Sequence, residues 1–426
     1  MQVIENSKVK EKLYIEKLEN GLTVMIIPKK GMKKKYMIWG TNYGSNENVF
    51  IVPGENTKTE VPNGIAHFLE HKLFEQENGT NSLDTLTALG VEANAFTTND
   101  TTAYLFYCTD NFYPAMDELM DYVQNPYFTD ENVEKEKGII GQEIMMYDDS
   151  PDWQVYLNAM KILYHNHPMK IDVAGTIDSI SKIDKDILYK CYDTFYNVSN
   201  MAIVVSGDFE PENLLEEIKK RLKETKTNGK IQTFYPEEPE TIVKEKIEQK
   251  MEVSQPMYTI AIKVKPTDKP EEMIRRDIAI QILLELLVGK SSKLYKQLYD
   301  EGVISGGIGG TYEFSENYAH VLISGQSNEP EKVYHRIKQE IARQKQEGLS
   351  EQDFYRIKKK IYGGYVKDYD DIENISNTFL TNYFMGINSL DYLNQIDNID
   401  MEFIAQVLND IFKEDKMAIS IVKNEK

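Results

Sequence analysis

Alternating apolar and polar positions predict two β-hairpins early in the chain. Residues 18–30 (LENGLTVMIIPKK) turn at an Asn-Gly pair, and residues 92–109 (EANAFTTNDTTAYLFYCT) turn at an Asn-Asp pair. Residues 128–149 (FTDENVEKEKGIIGQEIMMYDD) and 211–224 (PENLLEEIKKRLKE) have the period of amphipathic helices instead. Hairpins that alternate with helices favour an α+β fold, with helices packed on mostly antiparallel sheets, over a parallel doubly wound sheet.

The chain contains an internal repeat. Residues 183–205 align without a gap to residues 399–421, at a constant offset of 216 residues. In each copy an amphipathic helix runs into a β-rich segment, MAIVVSG in the first and MAISIV in the second. A looser match aligns residues 128–131 with residues 349–352, where a Thr or Ser precedes a charged helix. Two matches in the same order predict a duplication that gives two similar domains.

A polar segment near residues 224–245 separates the two copies. It contains turn-forming residues and only a short apolar stretch, as is typical of a linker. We therefore predict a first domain over residues 1–228, a linker over 229–241 and a second, homologous domain over 242–426.

Composition and charge narrow the function classes. The chain has 426 residues, 41% of them hydrophobic and 28% charged, so it is globular and too long for one typical core. A net charge of -20 argues against nucleic acid or an anionic membrane surface as a partner. The longest apolar run, residues 278–288, contains Glu285 and is shorter than the roughly 18 residues of a membrane span. The start of the chain has no apolar segment after its basic residues, which favours a cytoplasmic location.

The sequence His67-Phe-Leu-Glu70-His71 has the spacing of a metal site on a helix. Positions i and i+4 share a helix face, so His67 and His71 can bind one ion, with Glu70 beside them. A catalytic zinc needs three protein ligands, a water molecule and a nearby carboxylate that accepts the water's proton. His-x-x-Glu-His supplies two ligands and that base, in the inverzincin order. Cys108 and Cys191 are not spaced as a metal clamp, so the remaining ligand must be His or a carboxylate.

The spacing leaves the third ligand open. Glu136 and Glu143 are two helical turns apart in the acidic helix predicted downstream, so both can face the site. Glu75, His165 and His167 are competing candidates in less favourable positions, on a surface or in a loop.

The helix that carries the two histidines also has an alternative explanation. Both imidazoles can lie on a solvated face without any metal, although Phe68 and Leu69 favour a helix that is packed on its other side. Gly138 and Gly141, in the acidic helix, are expected to let that helix approach the histidines closely.

These motifs resemble the pitrilysin/insulinase zinc peptidases, in the half-length form typified by mitochondrial processing peptidase, and are most similar to its YmfH-type bacterial members. NGIAHFLEHKLF, GVEANAFTTNDTTAYLF, VEKEKGIIGQEI and HP followed by AGTIDSI occur in the family's order, over nearly the whole chain. The resemblance implies a zinc metalloendopeptidase that hydrolyses peptides or unstructured segments, with one Zn²⁺ per chain in the first domain. The family's third ligand is a Glu well beyond the second His, and Glu143, 72 residues after His71, matches it. Glu136 matches a second acidic residue that supports the site.

The resemblance also implies how a peptide substrate is bound. Family members pair the substrate as an extra strand along an edge of the first domain, and EANAFT matches that edge. Asn94 and Ala95 are then expected to contact the peptide near its scissile bond. Backbone pairing of this kind gives affinity with little demand on the substrate's side chains.

One departure from the family's pattern predicts a partner. Members that act alone carry an Arg and, shortly afterwards, a Tyr in the second domain, which polarise the substrate carbonyl. Here Tyr299 stands where the Arg is expected, and Ile304 or Ser305 where the Tyr is expected. An oxyanion stabiliser is commonly worth a few kcal/mol in the transition state. We therefore expect a heterodimer in which a paralogous chain supplies the Arg and Tyr.

A second functional hypothesis is a non-catalytic subunit that retains the peptidase fold for assembly, as some family members do. That hypothesis predicts a broken metal motif. Here His67, Glu70, His71 and Glu143 all match, which favours catalysis.

Overall fold

The computed structural model describes residues 1–224 and 231–425. Its strands are β1 (Gln2–Asn6), β2 (Glu11–Lys17), β3 (Thr23–Pro28), β4 (Lys35–Thr41), β5 (Val49–Ile51), β6 (Lys58–Glu60), β7 (Glu92–Thr97), β8 (Thr102–Cys108), β9 (Met201–Gly207), β10 (Gln232–Thr233), β11 (Lys246–Lys250), β12 (Met257–Lys263), β13 (Gly309–Phe314), β14 (Ala319–Gln326) and β15 (Met417–Lys423). Its helices are α1 (Ile65–Lys72), α2 (Ser82–Ala88), α3 (Phe112–Gln124), α4 (Asp130–Asp148), α5 (Pro151–Leu163), α6 (Ile177–Ile180), α7 (Lys185–Phe195), α8 (Pro211–Arg221), α9 (Pro270–Val288), α10 (Lys293–Asp300), α11 (Pro330–Glu347), α12 (Glu351–Asp368), α13 (Ile372–Phe384), α14 (Tyr392–Gln395) and α15 (Met401–Ile411). None of the helices in the described ranges is long and apolar enough to cross a bilayer.

The chain divides into two compact units, each made of three segments. Unit 1 consists of Met1–Ile144, Asp172–Tyr235 and Asp368–Phe384, and unit 2 of Met145–Ile171, Pro236–Lys367 and Met385–Lys426. The main change of unit, between Tyr235 and Pro236, falls inside the predicted linker 229–241.

Unit 1 is organised around a seven-stranded sheet in the order β1-β2-β3-β9-β4-β8-β7. The pair β3 and β9 is parallel and all other neighbours are antiparallel. The middle strands β3, β4 and β9 are almost entirely buried, whereas β7 lies at the edge and is partly exposed. Both predicted hairpins are present, as β2–β3 and β7–β8.

Unit 2 repeats the larger part of this sheet. Its order, β11-β15-β12-β14-β13, matches β3-β9-β4-β8-β7 strand for strand, and again only the first pair is parallel. The two copies of the sequence repeat form α7–β9 and α15–β15, and both helices begin at a capping aspartate, Asp184 or Asp400. The predicted α+β fold with two similar units is confirmed. The apolar run over residues 278–288 belongs to α9, which is buried in the core of unit 2.

One helix of each copy contributes to the other unit. Helix α5 packs on β12 and β15 of unit 2, although it follows α4 in the first half of the chain. Helix α13 packs on β4 and β9 of unit 1, although it lies near the end of the chain. No sequence pattern indicated this exchange, because helical periodicity shows that a face is apolar but not which sheet it covers. The predicted domain boundaries, 1–228 and 242–426, were drawn without this exchange, and they stay a prediction.

The predicted linker is ordered where the structure describes it. Residues 229 and 230, and the predicted domain end at 228, lie outside the described residues. Beyond them, β10 pairs with β5 in a small sheet with β6, and Glu238 accepts hydrogen bonds from the backbone N–H groups of residues 165–167.

Candidate metal centre

Gly64, the residue before α1, has a backbone conformation that favours glycine. Gly64 has φ 91°, and a Cβ built on it would lie 2.4 Å from the carbonyl oxygen of Ala174. The helix that follows is buried on several sides, and the exposed fraction of His67 is only 8%. The solvated-helix alternative for His67 is therefore wrong.

Gly64→Ala is expected to destabilise unit 1 and lower its zinc content. The left-handed backbone costs a non-glycine residue about 1 kcal/mol or more, and the added methyl group overlaps the Ala174 backbone. Denaturant unfolding and zinc analysis would measure both effects. Gly79→Ala is the matched control, because Gly79 has φ 80° with nothing within 4 Å of the added Cβ. Equal effects of the two substitutions would contradict the overlap argument.

Three predicted ligands come together in space. One donor atom from each of His67, His71 and Glu143 lies within 4.8 Å of the others. Nε2 of His67 is 3.6 Å from Oε1 of Glu143, and Nε2 of His71 is 3.5 Å from Oε2 of the same carboxylate. Two donor atoms of a tetrahedral zinc site are expected to lie about 3.4 Å apart. Both nitrogen–oxygen distances are close to that value. Two imidazoles and one carboxylate are also a typical donor set of catalytic zinc, so the residues fit the ion.

Glu136 contacts the site from behind His71. Its Oε1 lies 3.0 Å from Nδ1 of His71, which directs the other ring nitrogen toward Glu143. A carboxylate in this position fixes the tautomer and orientation of a metal-binding imidazole. Glu136 is in turn 3.6 Å from the ammonium of Lys72, a fully buried lysine that also pairs with Glu75.

The charges around His71 favour a cation. Burial lowers the pKa of His71, but its hydrogen bond to Glu136 and the charges of Glu70, Glu136 and Glu143 outweigh burial, so the pKa is raised above its ordinary value. A site with several carboxylates around two imidazoles is suited to a divalent ion.

Glu70 lies one residue before His71 and is bound by a residue from the edge strand. Its exposed fraction is 8%, and its Oε2 accepts a hydrogen bond from the hydroxyl of Thr97 at 2.6 Å. Thr97 is the last residue of β7, so the predicted base and the predicted substrate edge are in direct contact.

The competing ligand candidates have other contacts. Glu75 pairs with Lys72 and Lys135, and it is not part of the three-residue group. His165 and His167 belong to a segment of unit 2, where their backbone N–H groups donate to Glu238.

The glycines of α4 do not have the predicted role. A Cβ added to Gly138 or Gly141 would meet nothing within 4 Å, so close approach of α1 does not require glycine at either position. That prediction was wrong, because Glu136 and Glu143 reach α1 through their side chains.

The predicted substrate residues lie on an open edge. Asn94 and Ala95 are in the middle of β7, which has β8 on one side and no strand of the described chain on the other. The Ala95 N–H donates to the side-chain oxygen of Asn94 at 2.9 Å.

The residues at the expected Arg and Tyr positions lie in unit 2. Tyr299 is on α10 and is 55% exposed. Ile304 is buried, and the hydroxyl of Ser305 donates to Gln255 at 3.2 Å. The side chain at the expected Arg position is therefore not a guanidinium. Neither candidate at the expected Tyr position is a phenol.

Sequence reasoning missed Thr97 and Lys72. Thr97 was visible only as a β-branched residue at the end of a hairpin strand, and Lys72 as a charged residue after the motif. Neither pattern indicates which carboxylate the side chain contacts.

The turn of the β7–β8 hairpin is supported by a buried carboxyl group. Glu47 accepts hydrogen bonds from the Gly44 N–H at 2.7 Å and from the Tyr235 hydroxyl at 2.6 Å. Next to Glu47, the backbone N–H of Asn46 donates a hydrogen bond to the carbonyl oxygen of Asn99, which lies in the hairpin turn. Burial, and next the charge of Asp100, raise the pKa of Glu47 well above its ordinary value of 4.5.

Wild-type stability is expected to fall relative to Glu47→Gln as pH rises above 4.5. Above that pH the Glu47 carboxyl group keeps its proton in the folded state but releases it in the unfolded chain. The free energy of unfolding therefore falls as pH rises, until the pH passes the raised pKa of the folded state. Urea midpoints of both proteins at several pH values would measure the difference. Parallel pH profiles would contradict a raised pKa.

Comparison with known proteins identifies the family. The profile described as "Insulinase (Peptidase family M16)" matches residues 42–177, and that described as "Peptidase M16 inactive domain" matches residues 182–361. The uncharacterized zinc protease YmfH of Bacillus subtilis is 38% identical over 419 residues, which are 98% of this chain and 97% of that relative. The chain belongs to peptidase family M16. The family predicted from the motifs, and the likeness to YmfH, are thereby confirmed.

Other M16 relatives agree with this assignment. An M16-like peptidase from Alicyclobacillus acidocaldarius has a crystal structure that matches with a TM-score of 0.93 and 33% identity, over 98% of this chain and 99% of that one. A probable mitochondrial-processing peptidase subunit beta of Arabidopsis thaliana is 27% identical over 176 residues, which are 40% of this chain and 33% of that relative. The three clustered donors all lie within the first M16 match, and none lies within the match described as inactive.

Proposed function

We propose that this M16 protein is a zinc metalloendopeptidase that hydrolyses peptides or unstructured segments. The observation that carries the proposal is the clustering of donor atoms from His67, His71 and Glu143, with Glu70 on α1 between the two histidines. The relative YmfH, which matches over 97% of its own length and is named an uncharacterized zinc protease, supports it.

Each residue has a role in the proposed reaction. His67, His71 and Glu143 would hold one zinc ion, and Glu136, which is hydrogen-bonded to His71, would orient its ring. Zinc, when bound, supplies a Lewis acid and activates water for attack. Glu70 accepts the proton of the attacking water and returns it to the leaving amine.

The peptide would bind along β7. Backbone groups on the open edge of this strand can pair with an extended substrate, near Asn94 and Ala95. Because Thr97 at the end of the strand contacts Glu70, a peptide paired with β7 would run toward the base.

The test is zinc-dependent cleavage of unstructured peptides. The chain, purified from native cells with whatever accompanies it, is expected to cleave them, to lose activity with a chelator and to regain it with added zinc. Absence of zinc-dependent cleavage in every purified form would refute the proposal.

We further propose a heterodimer with a paralogous chain that supplies an Arg and a Tyr. The missing pair at Tyr299 and Ile304 or Ser305 supports this, and a relative named as a subunit is compatible with it. Recovery of a fully active homodimer would refute the heterodimer but not the peptidase. The cytoplasmic location and the lack of nucleic-acid partners remain predictions.

The alternative is a non-catalytic assembly subunit. The description of residues 182–361 as an inactive domain applies to a segment without the clustered donors, and so does not favour it. A zinc-loaded complex with no peptidase activity would be its signature.

A further inference from the structure

The hydroxyl of Thr97 forms a short hydrogen bond to the predicted base. Thr97 Oγ1 donates to Glu70 Oε2 at 2.6 Å. This length is typical of charge-assisted O–H···O⁻ bonds, which are roughly twice as strong as neutral ones. Because Glu70 is only 8% exposed, little water competes for the same oxygen.

The position of this hydroxyl is fixed by the strand that carries it. Thr97 ends β7 and is the register partner of Thr102 in β8. A β-branched side chain in a paired strand has few χ1 rotamers, so the hydroxyl has little freedom to move. Thr102 donates at 2.9 Å to the carbonyl of Tyr43, which anchors the neighbouring strand.

We propose that Thr97 is a positioning residue for the peptidase reaction. By holding Oε2, Thr97 turns the carboxylate so that Oε1 is left to accept the proton of the attacking water. The proposal rests on the proposed function, because it assigns Thr97 a role only through Glu70.

The same strand would also align the substrate. Ala95 precedes Thr97 by two residues, about 7 Å along an extended strand, and is the predicted contact of the peptide near its scissile bond. The peptide register and the orientation of the base would thus depend on one element. Since the Thr97 side chain bonds to the base and not to the peptide, its loss should lower kcat and leave KM nearly unchanged.

Thr97→Val tests this role, because valine keeps the shape and removes the donor. In the zinc-loaded protein, with any native partner present, kcat is expected to fall roughly 10- to 100-fold, the effect of losing a hydrogen bond to a charged group. KM and zinc content should stay near those of the wild type. Thr97→Ser is expected to recover most of kcat, because it restores the hydroxyl.

A crystal structure of Thr97→Val gives a readout that does not depend on activity. The Glu70 carboxylate is expected to rotate away from its wild-type orientation, and in Thr97→Ser to keep it. Thr259→Val is the control, since Thr259 is also a strand threonine whose hydroxyl is hydrogen-bonded, here to Ser324 at 3.0 Å in unit 2. Thr259 is buried, whereas Thr97 is half-buried. Thr259→Val should cost stability without lowering kcat.

The outcomes separate the two proposals. Two results would overturn the role of Thr97 and leave the proposed peptidase function standing. One is a wild-type kcat in folded, zinc-loaded Thr97→Val. The other is a kcat of Thr97→Ser that is as low as that of Thr97→Val. If valine prevents folding, Thr97→Ala replaces it, and equal kcat for Ala and Ser would overturn the role. Unfolding of the serine variant as well would assign Thr97 to structure. A wild-type protein without zinc-dependent cleavage would refute both proposals.

Discussion

Glu70→Gln is expected to lower kcat by roughly 10²- to 10⁴-fold, the usual contribution of a positioned general base. Glutamine has the same shape and can still accept the Thr97 hydrogen bond, but it cannot accept a proton from water. Zinc content and substrate affinity should therefore be preserved. The measurement is steady-state cleavage of an unstructured peptide by the zinc-loaded protein with any native partner present.

Glu77→Gln is a suitable control for this substitution, because Glu77 is an exposed glutamate shortly after α1. Its effect on kcat should be small. Full activity of zinc-loaded Glu70→Gln would show that Glu70 is not the base.

Glu143→Ala is expected to reduce zinc affinity by more than about 100-fold, since even outer partners of metal ligands commonly contribute 10- to 100-fold. Glu143 lies near both imidazoles, so its removal leaves two donors where catalytic zinc normally has three. Competition with a chromophoric chelator would measure the affinity without reference to activity.

Glu131→Ala provides the matched control, because Glu131 is exposed on the first turn of the same helix, α4. It should bind zinc as the wild type does. Comparison with Glu70→Gln is also informative, because a base is dispensable for zinc binding and a ligand is not. Unchanged zinc affinity in Glu143→Ala would exclude this carboxylate as the third ligand.

Local spacing predicted the part of the site that lies on one helix. His67, Glu70 and His71 are within one and a half turns, and helix geometry alone places them together. The choice between Glu136 and Glu143 was beyond such reasoning, because a spacing of seven puts both on the same face. In the structure, Glu143 approaches Nε2 of both imidazoles and Glu136 approaches Nδ1 of one, a difference that spacing along α4 does not specify.

The fold shows the same division between local and non-local information. The hairpins, the long helices and the α7–β9 repeat followed from periodicity and turn residues. The contact between Thr97 and Glu70 did not, because a hairpin register does not specify which helix packs beside its last residue. The exchange of α5 and α13 was also invisible, since any apolar helix face can cover either of two similar sheets.

That exchange has a consequence for how the protein can be divided. A cut in the predicted linker would leave the first half with α5, whose sheet is elsewhere, and without α13, which covers β4 and β9. Each half would then expose an apolar sheet surface that its missing helix normally covers. Each half would also carry a helix whose own sheet is in the other half. We therefore expect that neither half folds stably without the other, because each half lacks the helix that covers part of its sheet.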